Sequence, residues 1–114
     1  MYAQFQVIAF THSNLDVAEI GLLHIEEDER KVRLAAIKAE MNWSELLFLS
    51  TCNRVEFFFC GESSGTEEKL FHFFRSLYPK LPQEKIDLFV SNTLHIQGER
   101  SMEHLLRVAS SIDS

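Results

Sequence analysis

The apolar positions along this chain change their period several times, and each change marks an element. Over residues 4–10, QFQVIAF, they alternate: Phe5, Val7 and Ala9 fall on one side, while Gln4 and Gln6 begin the other. A period of two predicts a strand with one buried face. The polar loop THSNLD follows and ends in residues that cap helices. A short helix is expected within residues 15–23 and a longer one over 27–41. The longer one opens on EEDE, acidic residues that suit the positive end of a helix dipole. Along it Val32, Ala36 and Ala39 run down one side and Leu34, Ile37 and Met41 down another, with Arg30, Lys31, Arg33 and Lys38 read as solvated. ELLFLS and VEFFFCG are two strands joined by a short polar link. In EKLFHFFRSLY, Leu70, Phe73, Phe74 and Leu77 recur at helical spacing, His72 and Arg75 fall opposite, and Pro79 and Pro82 end the helix. QEKIDLFV predicts a further short turn of helix and TLHIQG a short strand. SMEHLLRVASSI predicts a helix with Ser101 as its N-cap and Met102, Leu105, Leu106, Ala109 and Ile112 as its apolar stripe.

The resulting order, β, α, β, β, α, a short β and α, predicts an α+β fold. Strands in pairs with helices between them point to a ferredoxin-like split βαβ sandwich: an antiparallel-rich sheet with helices on one face, plus an extra C-terminal helix. At 114 residues, 46% of them hydrophobic and ten of them Phe, residues 1–114 make a single domain with a core of modest size. No apolar run approaches the roughly 18 residues of a membrane span. The first residues carry no basic segment and no small-residue cleavage site, so the expected location is the cytoplasm and no membrane association is expected. The ending, SSIDS, has no Gly, Lys or Arg to close the helix and leaves Asp113 at its negative end. A native C-terminus and a piece of a longer protein can both end in this way.

The formal net charge of -6 argues against non-specific binding of nucleic acid, which depends on cations at phosphates. Four of the cations, Arg30, Lys31, Arg33 and Lys38, sit together on one predicted helix, either as a basic surface or as an ordinary solvated face. The two cysteines, Cys52 and Cys60, have neither redox-pair nor zinc spacing, and a reducing cytoplasm keeps them as thiols. His12, His24, His72, His95 and His104 lack metal-ligand spacing, so no metal site is expected.

The link between the paired strands is Thr51, Cys52, Asn53 and Arg54. Asn is a turn residue, but a turn does not call for a cysteine near an arginine. A cysteine attacks as thiolate, and at an ordinary pKa of ~8.5 little of it is ionised near neutrality. One cation ~4–5 Å away at an effective dielectric of ~20 contributes roughly 3–4 kcal/mol before desolvation, enough to matter. Local sequence therefore leaves two readings of Cys52 open, a nucleophile helped by Arg54 or a small packed residue. Cys60, inside FFFC, reads as core. His104 and Arg107 share a helix face at i, i+3. The Phe71, Phe73 and Phe74 cluster reads as core, and His12 as a polar loop residue.

Two separated segments weigh on this choice. LSTCNRVEFF resembles the cysteine motif of the glutamyl-tRNA reductase family, S-T-C-N-R-x-E, with Ser50, Thr51, Cys52, Asn53, Arg54 and Glu56 in place. EHLLRVASSIDS is similar to the family's second motif, H-L-F-R-V-A-S-G-L-D-S, through His104, Leu105, Arg107, Val108, Ala109, Ser110, Asp113 and Ser114. Leu106, Ser111 and Ile112 replace Phe, Gly and Leu. The family's Asn-His-basic-Thr-x-Pro stretch after the first strand keeps only His12.

The resemblance implies an N-terminal catalytic domain of a longer enzyme whose NADPH-binding and dimerisation domains lie outside these residues. No G-x-G-x-x-G occurs in the sequence. It implies an NADPH-dependent oxidoreductase of tetrapyrrole (porphyrin) synthesis, whose full-length form is a homodimer. Cys52 would attack the ester carbonyl of glutamyl-tRNA, and NADPH would reduce the thioester to glutamate-1-semialdehyde. His104 would assist proton transfer or orientation, and Thr51, Arg54 and Ser114 would hold the glutamyl moiety, Arg54 as partner of its carboxylate. The competing expectation is a ferredoxin-like ligand- or protein-binding module without catalysis, in which Cys52 is structural.

Overall fold

The computed structural model describes residues 4–62 and 66–113, and the side chains up to 110. The elements run β1 (Phe5–Thr11), α1 (Val17–Gly21), α2 (Glu27–Glu40), β2 (Glu45–Thr51), β3 (Arg54–Cys60), α3 (Glu67–Leu77), α4 (Gln83–Ser91), β4 (Leu94–Gln97) and α5 (Glu99–Asp113). The sheet order is β2-β3-β1-β4, with every neighbouring pair antiparallel. The crossover from β1 to β2 steps over β3, and the crossover from β3 to β4 steps over β1. This interleaving is the ferredoxin-like split βαβ that the alternation of strands and helices predicts.

One face of the sheet carries the main core. Ile8 and Phe10 of β1 and Val55, Phe57 and Phe59 of β3 pack against Ile20, Ile37, Phe73, Phe74, Leu77 and Phe89 of the helices. The aromatic rings meet in favourable geometries: Phe57 lies edge-on to Phe73 with centroids 4.9 Å apart, and Trp43 stacks on Phe59 at 3.9 Å. The predicted stripe of α3 is buried in full. Thr66 caps that helix by accepting a hydrogen bond from the Lys69 amide. Gly61 is held to a hydrogen atom by its neighbour, since a Cβ there would lie 2.5 Å from the Trp43 ring.

Three expectations change. β1 buries both faces, not one: α5 covers Val7 and Ala9, the side expected inside, and the crossover helices cover the other side, that of Gln6, Ile8 and Phe10. Gln6 is therefore interior: its Nε2 donates to the carbonyls of Gly61 and Glu62, and its Oε1 accepts from Nε2 of His95 at 2.7 Å.

On α2 the Leu34, Ile37 and Met41 side faces the core, while Val32 is exposed. Arg30 and Arg33 are not simply solvated. Arg30 Nε donates to the Ile25 carbonyl and its guanidinium covers Phe48. Arg33 donates to the Leu77 carbonyl and covers Tyr78. Their stems and planar heads act as packing.

On α5, Ser101 is not the N-cap but the third helical residue, fully buried, with its hydroxyl donating to the Phe5 carbonyl at 3.0 Å. Leu106 is 62% exposed, and the buried side of the helix passes through Ser101, Leu105 and Val108. The apolar count misplaced this face because what it covers is partly polar.

Candidate functional site

The strand registers gather the chemistry-bearing residues at one end of the sheet. Thr51 pairs with Arg54, and Arg54 pairs on its other side with Thr11. This row of three closes the ladder, with the two-residue link Cys52 and Asn53 beyond it. His12 follows Thr11 and so lies at the same end, in an exposed loop. Asn14 braces that loop, accepting from the Thr11 amide and donating to the Asn92 carbonyl ahead of β4.

Cys52 is exposed. Neither it nor Asn53 takes a positive φ, so the link is not the left-handed turn that Asn commonly makes in hairpins. Asn53 shapes it otherwise: its Oδ1 accepts from the Thr51 hydroxyl at 3.3 Å. The outcome is a thiol presented on a short, tied link rather than packed inside.

Behind the link, period two places Arg54 and Glu56 on the α5 face of β3. Glu56 is fully buried, with Val55, Phe57, Phe58 and Phe59 around it in sequence. Its Oε2 accepts from Arg54 Nη1 at 2.8 Å, and its Oε1 is hydrogen-bonded to Nε2 of His104. Only one guanidinium nitrogen of Arg54 is engaged by Glu56, and that side chain keeps 29% of its surface in solvent. His104 is mostly buried, at 15%, and its ring lies over Phe58 with centroids 6.1 Å apart.

The helix that brings His104 starts at the far end of the sheet. Gly98, at φ 68°, turns the chain sharply out of β4, and its amide donates to the Phe5 carbonyl. From Ser101 over Phe5, α5 runs back towards the Cys52 end and reaches Glu56 one turn later.

The structure thus places Thr51, Cys52 and Arg54 on one hairpin and joins His104 to Arg54 through Glu56. Ser114 lies outside the described residues. Arg107, one turn beyond His104, is exposed on α5. Glu56 is a motif position whose burial the sequence does not show. Its signal was a single carboxylate inside an otherwise apolar strand.

Cys60 sits at the opposite end of β3, paired with Phe5 and with Glu45. Burial pushes its thiol up, and the Glu45 carboxylate across the strand adds to this. Both effects disfavour a thiolate there.

A groove of about 560 Å³ lies on the helix layer between α2 and the link from α3 to α4, lined by Arg33, Ile37 and Tyr78 among others. None of the residues named at the Cys52 end lines it. Among the described residues no cluster of His, Cys, Asp or Glu could hold a metal, and no helix is long and apolar enough to cross a membrane.

The family described as "Glutamyl-tRNAGlu reductase, N-terminal domain" matches residues 8–114. The chain is 35% identical to the glutamyl-tRNA reductase of Lawsonia intracellularis over all of its own length and 25% of the relative's. It is 33% identical to that of Campylobacter lari, covering 96% of this chain and 25% of the relative. The chain thus spans about a quarter of the length of these curated relatives. The solved structure of glutamyl-tRNA reductase from Methanopyrus kandleri superposes with a TM-score of 0.65 at 24% identity, over 98% of this chain and 23% of that one. At that identity the match speaks for the fold.

Proposed function

The chain belongs to the family of glutamyl-tRNA reductase N-terminal domains, and from that premise we propose that it takes the glutamyl group of glutamyl-tRNA onto Cys52. The whole protein would be an oxidoreductase of tetrapyrrole synthesis, and this chain would supply its acyl-transfer half. The thiolate sulfur of Cys52 attacks the ester carbonyl carbon. A C–S bond forms, the C–O bond to the tRNA ribose breaks, and the departing hydroxyl takes a proton. His104 serves that proton transfer, Thr51 and Arg54 hold the glutamyl moiety, and Ser114 is retained as a further contact. Arg54 suits the substrate carboxylate because a planar guanidinium can offer two parallel donors.

The observation that carries this reading is the position of Cys52: exposed, on a tied two-residue link next to the row of Arg54, which Glu56 connects to His104. An exposed link also admits a substrate as large as a tRNA end. The hydride chemistry that turns the thioester into glutamate-1-semialdehyde belongs to NADPH. The residues of this chain do not fit that cofactor, for the strand-to-helix connections carry no Gly-rich fingerprint. NADPH binding, like the homodimer, is assigned to the parts of the longer relatives that this chain does not span. The cytoplasm is the compartment in which such a thiol stays reduced.

Mass spectrometry after mixing the protein with glutamyl-tRNA, without NADPH, tests the proposal. One glutamyl group should appear on the peptide bearing Cys52, labile to hydroxylamine and absent from Cys52→Ala, with Cys60 unmodified. A wild-type protein that stays unmodified while it cleaves the ester would sink the covalent mechanism.

A further inference from the structure

Glu56 remains without a task in the reading above. It is the one charged residue in a run of five buried β3 positions, and its carboxylate is fully enclosed. An apolar side chain would fill the same place without the desolvation that a buried ion demands, since buried charge networks are often no more stable than packed hydrocarbon.

Its partners constrain it tightly. Arg54 has only donors, so Oε2 must accept from Nη1. A carboxylate is also an acceptor at its other oxygen, so Nε2 of His104 carries the hydrogen that Oε1 receives. The neutral imidazole then has its lone pair on Nδ1. With Phe58 along one face of the ring and Glu56 at one edge, the ring has a single orientation.

We propose that Glu56 is a positioning residue: it fixes His104 as the Nε2–H tautomer, so that Nδ1 is the atom exchanging a proton at Cys52 or at the departing hydroxyl. This rests on the reading of Cys52 and His104 above. It is the arrangement in which a third group orients the base beside a nucleophile.

Glu56→Gln gives a sharp test. The amide has one acceptor and one donor group. Arg54 can only donate and claims the oxygen, which turns the amide N–H towards His104 Nε2. That nitrogen must now be the unprotonated one, and the tautomer inverts. The readout is the pair of imidazole 15N shifts of His104 in 15N-histidine-labelled protein, assigned with a His104→Gln control.

The expected results are Nε2–H in the wild type, Nδ1–H in Glu56→Gln, and a fall of about 100-fold in the rate of glutamyl transfer to Cys52, the scale of a lost acid–base step. The apparent affinity for glutamyl-tRNA and the urea midpoint should move little. A wild type in the Nδ1–H form overturns the proposal, whether or not the variant folds. So does an inverted tautomer with a rate within about twofold of wild type, or a lost rate with the tautomer unchanged. If the wild type never carries a glutamyl group, the acyl-transfer reading falls, and the two spectra alone then decide whether Glu56 sets the ring.

Discussion

The two faces of this sheet each bury a polar group, and they do it in opposite ways. Under the helices of the crossovers, the polar insertion is neutral: Gln6 satisfies two carbonyls and His95, and Gln97 donates to the other nitrogen of that ring at 3.3 Å. Under α5 it is charged: Arg54, Glu56 and His104 in series. The first face also holds nearly all of the aromatic core, whereas the second has, among the described residues, a cluster of three buried apolar residues. Apolar packing is concentrated on one side and buried charge, with the proposed chemistry, on the other. Such a division leaves the α5 face able to carry buried charge, because the opposite face supplies the apolar burial that holds the sheet.

The largest effect that tests this division is Phe57→Ala. It removes a ring enclosed by Phe48 and Phe73 and should destabilise the fold by about 3–5 kcal/mol in urea denaturation. A loss under about 1 kcal/mol would mean that the aromatic face is not where stability resides. Gly61→Ala comes next, at about 1–3 kcal/mol, since the new methyl group meets the Trp43 ring and can be relieved only by shifting a packed indole. An unchanged urea midpoint would show that Trp43 yields freely.

A smaller effect follows pH. Burial pushes the His95 imidazole down from its ordinary value. The unfolded chain then binds the proton more readily than the folded one. The contribution is therefore complete above about pH 6.5, the ordinary value, and is lost as pH falls from there towards the lower folded value. Urea midpoints at about pH 7.5 and 5.5 should differ more in the wild type than in His95→Gln. Equal differences would remove His95 from the account. The smallest effect is Leu106→Gln, expected within about 0.5 kcal/mol, because that side chain points away from the sheet. A larger loss would show that α5 buries more than the Ser101, Leu105 and Val108 side.

The same asymmetry explains what could be read from the sequence. Phe73, Phe74 and Leu77 announced their helix and their face because both they and what they cover are apolar. The strands followed from periodicity, and their alternation with helices pointed to the split βαβ class, but which strand lies beside which is set by the pairing and not by any one segment. The α5 face was harder. Its inward positions include Ser101 and His104, which a count of apolar residues assigns to solvent, and Leu106, which that count places inside, is exposed. β1 looked one-sided for the same reason, since Gln6 reads as an outward residue until its three hydrogen bonds are seen. At the site, Thr51, Cys52, Arg54 and His104 were singled out by motif. Glu56 was hidden because a carboxylate in a strand is ordinarily a surface residue, and only the register reveals that it lies beneath a helix.

The Glu56–His104 hydrogen bond spans 48 residues of chain. At roughly 5–20 residues per second of synthesis, Cys52 is made some 3–10 s before His104. Over that interval the thiol exists without the imidazole, and it can gain it only after β4 has paired with β1 and Gly98 has turned the chain back. Under the proposed acyl transfer, completion of the fold and arming of the cysteine would be one event in time.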